Sequence, residues 1–576
     1  MHKRWGLVAL LLAVALGVGV VLWGGGQTPP ASARDIDELL ATMSLEQKVG
    51  QMVMAGFPGY SAGSEATQLI RQHHVGGVIL FARNIRDPVQ VANLTRSLQQ
   101  LAQSSGARIP LFIATDQEGG IVARLRSPAA VMPGAMALGA ASSPELAYEA
   151  GRSTARQLLA VGINMNFAPV VDVNNNPANP VIGVRSFGED PELVAELGAA
   201  FIRGQQEEGV ISTAKHFPGH GDTDTDSHIA LPRVDHPRER LDQVELVPFR
   251  AAIAAGVDAI MTAHVTFPSI DPTPGLPATL SHRVLTGLLR EELGHEGLIV
   301  TDAMEMQAIT ANFGIAEAAV RAVEAGADMV LVAWPADWYD AVRVTQALVA
   351  AARSGRISQE RIDASVERIL RLKLERGLFD VAPVSATEAA ERVGRPEDHA
   401  LALEIARAAV TVVKDEQGAI PLEPKQSGKV LVVTPQLSDL TQAEERGTSL
   451  STLGEVVRRR IPDAQEIVIG TSPSVSQRSQ VVLAARDADT IIIGTYRANQ
   501  NQALLVNDLR RMGKRLIVVA LREPYDLLLF PDVPTYVATY GYLPVHMEAL
   551  GEVLFGDAPA RGRLPVSLPG LTTEGK

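Results

Sequence analysis

The chain has 576 residues, several times the ~100–200 of one domain, so more than one core is expected. With 46% hydrophobic and 20% charged residues the composition is globular, and long disorder is excluded. The charge sum, 52 − 65 = −13, offers no basic excess for phosphates and argues against a nucleic-acid partner; the absence of cysteine removes disulfides, thiolate nucleophiles and zinc sites built on Cys. At 4% aromatic residues, extended stacking platforms for polysaccharide are not expected.

At the N-terminus Lys3 and Arg4 precede an uncharged stretch that runs to Ala33. Its apolar heart, Gly6–Trp23, is long for the core of a signal peptide and short for a membrane span. The stretch breaks at Gly24-Gly25-Gly26 and Pro29-Pro30, and Ala31-Ser32-Ala33 offers a small-x-small cleavage site. Nothing amphipathic flanks it, which disfavours a core helix. Residues 1–33 are therefore read as a signal peptide or an N-terminal membrane anchor. The protein is expected outside the cytoplasm, extracellular or in the cell envelope, tethered to the membrane if the segment is kept.

From residue 49 onward apolar, β-branched runs alternate with helical stretches. The runs are Val49–Phe57, Val75–Phe81, Pro110–Asp116, Ile163–Val173, Ile211–Phe217, Ala259–Phe267, Gly297–Met304 and Ala327–Trp334. Between them, segments such as Pro191–Glu207 and Leu241–Ala255 carry apolar residues at helical spacing. Near-continuous apolar strands imply a parallel sheet buried on both faces. Eight such units predict an α/β fold with a (β/α)8 TIM-type barrel over residues 34–380; a doubly wound open sheet is the alternative, and the count of units favours closure.

Active sites of such barrels lie at the C-terminal ends of the strands. Those ends carry Asp116 and Glu118 after the third run, Arg185 after the fourth, and Lys215 and His216 on the fifth. His264 lies on the sixth and Asp302 closes the seventh. Ionisable groups finishing apolar strands are costly unless paired or used, and several at one rim point to a polar pocket.

After Phe379 the pattern gives way to a polar connector, 381–397, with Pro383, Gly394 and Pro396. A second unit, 398–576, has strand candidates Lys429–Pro435, Glu466–Gly470, Ala488–Tyr496, Arg515–Leu521 and Thr535–Tyr540. It reads as a parallel α/β three-layer sandwich, and no phosphate-binding glycine fingerprint accompanies its strands.

The chemistry concentrates in residues 215–228, KHFPGHGDTDTDSH. Three histidines (His216, His220, His228) and three aspartates (Asp222, Asp224, Asp226) suit metal chelation. They equally suit a catalytic dyad. Asp226 and His228 stand two apart and share a face in extended backbone, so the carboxylate would orient the imidazole. A solvated polar loop is the bland alternative, weakened by the number of histidines. Gly219 and Gly221 would let the loop fold over a substrate.

Here the sequence resembles a known family. K-H-F-P-G-H-G-D-T-x-x-D-S-H is similar to the signature of family 3 glycoside hydrolases of the β-N-acetylglucosaminidase (β-N-acetylhexosaminidase) type. GGVILFARN (76–84), ATDQEGGIVARL (114–125), NFAPVVDVNNNPANPVIGVRSFGEDP (166–191) and LIVTDAMEMQAI (298–309) resemble it too, as does the ending LFGDAPARGRLPVSLP (554–569). The likeness spans nearly the whole chain after residue 33 and is to the bacterial two-domain form. It implies Asp302 as the nucleophile and His228 as the general acid/base with Asp226 as its partner. It also implies Asp116, Arg124, Arg185, Lys215 and His216 as sugar-binding residues. Asp222 is read as turning the loop, Glu118 as holding the third loop, Met304 and Met306 as fillers. His264 is either a packed rim histidine or part of the site. Ile121 stands where many relatives carry Arg.

The resemblance thus implies an exo-acting, retaining enzyme that removes terminal N-acetylglucosamine from muropeptide fragments or chitooligosaccharides. Alternatives are a β-glucosidase-like specificity, transfer to phosphate, a metal-dependent barrel hydrolase and a silent sugar-binding protein. The expected partner is a GlcNAc-containing oligosaccharide, with no cofactor and no metal, and the protein is expected to be a monomer. A chain lacking residues 1–33 is expected to be soluble and active. An insoluble product beside an active full-length chain would move that boundary.

Overall fold

The computed structural model describes residues 36–333, 338–380, 382–445 and 449–571. The segment 1–33 and Trp334 lie outside them. Eight strands form one sheet: β1 (Val53–Ala55), β2 (Gly77–Ile79), β3 (Phe112–Thr115), β4 (Met165–Asn166), β5 (Ile211–Phe217), β6 (Ala259–Thr262), β7 (Leu298–Val300) and β8 (Val330–Val332). They pair in parallel in the order β8-β1-β2-β3-β4-β5-β6-β7. A parallel bridge from Val300 to Met329 joins the two ends and closes the barrel. Every residue of these strands is buried, as a sheet with its side chains packed inside and helices outside requires.

The strands are shorter than the apolar runs that announced them. In Val49–Phe57 the first residues belong to a helix, Leu45–Gln51, because Ser44 and Gln47 form a reciprocal capping box that starts it. In Ile163–Val173 only Met165 and Asn166 are paired as strand; Pro169 has no N–H to give, and the chain keeps just a bridge from Val170 to Lys215 beyond it. A hairpin of Gln117–Gly119 and Val122–Ala123 follows β3. It was not apparent from the pattern, being too short to show a period.

Two helices that flank β4, Pro144–Ala160 and Pro191–Glu207, pack backbone against backbone. A Cβ at Gly151 would lie 2.4 Å from the Phe201 carbonyl oxygen, and one at Gly204 would lie 2.1 Å from that of Tyr148. No side chain fits at either place.

Within the connector, Ala386–Arg392 is a helix capped by Ser385 and packed on Pro88–Gln103. The second sheet comprises β9 (Thr411–Asp415), β10 (Val430–Leu437), β11 (Ser449–Leu450), β12 (Gln465–Gly470), β13 (Thr490–Thr495), β14 (Arg515–Ala520) and β15 (Thr535–Ala538). β12, β10, β13, β14 and β15 are parallel neighbours in that order, and β9 adds antiparallel to β15. β9 escaped the sequence reading because its polar end, Lys414-Asp415, breaks the apolar run. Helices Pro396–Ala409, Leu453–Arg460 and Pro544–Leu554 pack as one layer, Val475–Ala485 and Gln500–Arg511 as another.

The two cores meet along an apolar seam. Ile121, Val122, Met136, Ala137, Ala140 and Val184 of the barrel unit belong to the cluster that fills the second sheet. Ile121 is 4% exposed there. Among the described residues no helix is long and apolar enough to cross a membrane. Gly204→Ala should force the helix pair apart, lowering stability by about 1–3 kcal/mol as overpacking does. Thermal or denaturant melts should show an earlier transition, and an unchanged midpoint would mean that the helices shift freely.

Candidate active site

The site grows from the rim of the barrel, and its least visible member is Asp172, beyond β4. Its side chain is fully buried. Asp172 Oδ1 accepts the backbone N–H groups of His216 (3.2 Å) and His220 (2.7 Å), and Oδ2 lies 2.7 Å from His216 Nδ1. Burial pushes this carboxyl up, but the two histidines and the His220 N–H outweigh it and hold it below the ordinary carboxylate value. An ionised carboxylate only accepts, so His216 Nδ1 carries a proton. The loop after β5 is then laid against the β4 segment: a Cβ at Gly221 would lie 1.8 Å from the Val173 carbonyl oxygen.

The remaining loop side chains have separate partners. His220 is held by Thr223 (Nδ1 to Oγ1, 2.8 Å) and Ser227 (Nε2 to Oγ, 3.0 Å). Asp222 accepts from His236 (2.5 Å), a residue beyond the loop, and Asp224 is exposed. Among the described residues no three His, Asp or Glu side chains are grouped to hold a metal ion.

Asp226 and His228 meet, but by a turn. Asp226 Oδ1 accepts the His228 backbone N–H (2.9 Å) and lies 2.7 Å from His228 Nδ1. Extended backbone was the expectation; an Asx turn achieves the pairing because a short carboxylate reaches the N–H two residues on. Burial pushes the Asp226 carboxyl up, and His228 more than offsets this, leaving it lowered and ionised. His228 Nδ1 is therefore the donor, and Nε2 is the nitrogen free to exchange a proton.

Asp302 stands two residues past β7. Thr301 N–H donates to Met329 O (3.0 Å) and Ala303 N–H to Asp302 Oδ1 (2.7 Å). His264 Nε2 donates to the Ala303 carbonyl (2.9 Å), so this buried histidine braces the chain just past Asp302. Burial pushes the His264 imidazole down. The Asp302 carboxyl is raised by burial but lowered further by His264, His216 and His228 around it, and stands ionised. Helix Gln307–Thr310 then reaches back to the dyad loop: Gln307 N–H donates to His228 O and Ala308 N–H to Ser227 O, both 3.3 Å. The Asp302 and His228 segments are tied directly.

Across the barrel, Lys215 Nζ lies 2.8 Å from both Asp116 Oδ1 and Glu118 Oε1, and Arg185 binds Glu118 through two 2.8 Å bonds. Burial raises the Glu118 carboxyl, but Arg185 and Lys215 drive it well below the carboxylate range. Glu118 is thus an ionic anchor for two predicted binding residues, beyond the loop-holding role read from sequence. Arg124 lies in the pocket wall, with its guanidinium donating to the Ala443 (2.7 Å) and Glu444 (3.1 Å) carbonyls of the second domain.

All eight predicted residues except Asp226, which stands behind His228, line one pocket of about 680 Å³ including its mouth. Met306 lines it as well, while Met304 is core. Gln442 and Ala443 complete the wall. Asp172 was legible in principle: it is a carboxylate interrupting the run APVVDV, the signal that singled out Asp116 and Asp302. Gln442 carried no such signal.

The chain matches the model of the Glycosyl hydrolase family 3 N terminal domain over residues 44–372 and that of the family's C-terminal domain over 410–574. It is 34% identical to Beta-hexosaminidase A of Pseudoalteromonas piscicida, covering 91% of this chain and 97% of that one. It is 32% identical to Beta-N-acetylglucosaminidase/beta-glucosidase of Cellulomonas fimi, covering 92% and 94%. A solved structure, a glycoside hydrolase family 3 beta-N-acetylglucosaminidase from Paenibacillus sp. str. FPU-7, superposes with a TM-score of 0.87 at 45% identity, covering 92% of this chain and all of that one.

Asp172→Asn keeps the shape but places an NH2 group against His216 Nδ1, so the imidazole proton must move to Nε2. Loss of a charged hydrogen bond is worth about 1.5–3 kcal/mol. kcat/KM should fall about 10- to 100-fold with the fold retained, as circular dichroism would report. Wild-type kinetics in this variant would remove Asp172 from the site.

Proposed function

The chain belongs to glycoside hydrolase family 3 and is a glycoside hydrolase, and from that premise we propose that it is an exo-acting, retaining β-N-acetylhexosaminidase. It removes terminal GlcNAc from muropeptide fragments or chitooligosaccharides outside the cytoplasm, the location resting on the composition of residues 1–33. The observation that carries the reading is the Asp226–His228 dyad, hydrogen-bonded through its backbone to the segment that bears an ionised Asp302. The names borne by the relatives support the choice of sugar.

In the first step an Asp302 carboxylate oxygen attacks the anomeric carbon, the bond to the leaving oxygen breaks, and His228 Nε2 delivers its proton to that oxygen. The imidazolium that precedes this step is stabilised by Asp226, which keeps the other ring proton on Nδ1. In the second step His228 takes a proton from water, whose oxygen attacks the anomeric carbon and frees Asp302. Asp116, Lys215 and His216 hold the sugar through its hydroxyls. Glu118 and Arg185 keep the charges of that wall balanced.

Leaving-group dependence tests the assignment. A sugar alkoxide needs a proton to depart and a nitrophenolate does not, and general acid catalysis contributes ~10²–10⁴-fold. His228→Ala should lose most activity on disaccharides and far less of the first step on nitrophenyl GlcNAc, while Asp302→Ala should be inactive on both. Equal losses for His228→Ala on both substrate types would send the acid role elsewhere. Equal kcat/KM for aryl GlcNAc and aryl glucose would reject the hexosaminidase specificity.

A further inference from the structure

In the second sheet the first parallel strand, β10, lies between β12 and β13, so the chain runs outward in both directions from the gap between β10 and β13. Crevices beyond the C-terminal ends of strands at such a reversal are where open parallel sheets take their ligands. Here the crevice holds part of the same chain. The loop leaving β10 carries Glu444, whose side chain is fully buried. Its Oε1 accepts from Arg522 Nη1 (2.8 Å), just past β14, and its Oε2 from the Tyr496 hydroxyl (3.4 Å), just past β13. Arg522 is itself 1% exposed and has Glu523 as its second partner.

The barrel grips the same loop from the other side. Arg124 donates to the Ala443 and Glu444 carbonyls and Arg126 to that of Glu445 (2.6 Å). Glu445 Oε2 accepts the Ala82 N–H (3.1 Å) and lies 3.2 Å from Arg124 Nε. A buried ion pair stabilises little by itself, and its best-attested use is to fix one arrangement. What it fixes here is an exposed Gln442 and an Ala443 in the wall of the active-site pocket. They stand on the β2–β3 side, beside Arg124, which lies 3.7 Å from Asp116. In an eight-stranded barrel β3 is opposite β7, the strand of Asp302. A sugar with its anomeric carbon at Asp302 turns its remote hydroxyls toward Gln442.

Resting on the reading of this pocket as the site of the terminal sugar, we propose that Gln442 is a substrate-binding residue supplied by the second domain, and that Glu444, clamped by Arg522, is its positioning residue. The side-chain amide hydrogen-bonds a hydroxyl remote from the scissile bond, and the loop forms the end wall against which the non-reducing terminus stops.

The full chain tests this with nitrophenyl GlcNAc and its 3-, 4- and 6-deoxy analogues. One neutral hydrogen bond corresponds to about 0.5–1.5 kcal/mol, hence roughly 2- to 13-fold. Gln442→Ala should raise KM by that factor with kcat within about twofold, since the contact is the same in ground and transition states. The penalty for one deoxy position should shrink toward unity in that variant. Glu444→Gln should reproduce the KM effect, and the double variant should be no worse than the poorer single one, because the residues act through one contact. Unchanged KM and deoxy penalties in Gln442→Ala overturn the proposal; additive effects in the double variant overturn the positioning role of Glu444. If the wild type prefers glucosides, the hexosaminidase reading fails, and the same comparison in the deoxyglucoside series still decides Gln442.

Discussion

The Asp172 side chain is fully buried, and its two oxygens receive three hydrogen bonds, two from His216 on β5 and one from His220 in the loop that follows. A buried carboxylate must be matched by donors where it stands, so the geometry of Lys215–Gly221 is dictated from β4 and not by the loop itself. From that anchor the rest follows in space. The His216 tautomer is set, the loop is pressed onto Val173, and its far end is turned by Asp226 to bring His228 over the pocket. Backbone bonds from Gln307 and Ala308 then lock the loop to the strand end of Asp302.

The same constraint shapes the opposite wall. Asp116, Glu118, Lys215 and Arg185 form a network in which each charge has a counter-charge, and Arg124 extends it to Glu445 on the second domain. Because the ions are compensated internally, the wall presents fixed, preorganised polar groups rather than mobile side chains. The second domain is joined to that wall in two ways: through the apolar seam around Ile121 and Val184, and through the loop of Glu444. The apolar character of Ile121 has a packing reason. An Arg there would bring a charge into an apolar cluster; here the seam is closed by a side chain that needs no partner.

The barrel was legible because eight runs of β-branched residues alternate with amphipathic stretches, and a sheet covered on both faces needs such runs. The strand ends were not, since capping at Ser44 and the missing N–H of Pro169 act on one or two residues and leave the apolar pattern intact. The dyad and Asp302 were legible through the run DSH and the run TDAMEM. Even there the reason for the Asp226–His228 contact was misjudged: a side-chain-to-backbone turn, which depends on loop conformation, replaced the expected extended backbone.

The sequence by itself determined which residue types stand at the rim of an eight-unit parallel barrel, because burial periodicity and the cost of an unpaired charge are local properties of each strand. It determined the five parallel strands of the second sheet by the same periodicity, and left out the antiparallel β9 and β11. Only the tertiary structure decided which charges pair. Glu118 with Arg185, Asp172 with His216, and Glu444 with Arg522 are separated by tens of residues, and nothing in either partner's neighbourhood names the other. For the same reason the contribution of Gln442 to the pocket lay outside any motif. Its place there is a product of two folded domains meeting, and depends on a buried ion pair and on carbonyl groups that every sequence possesses.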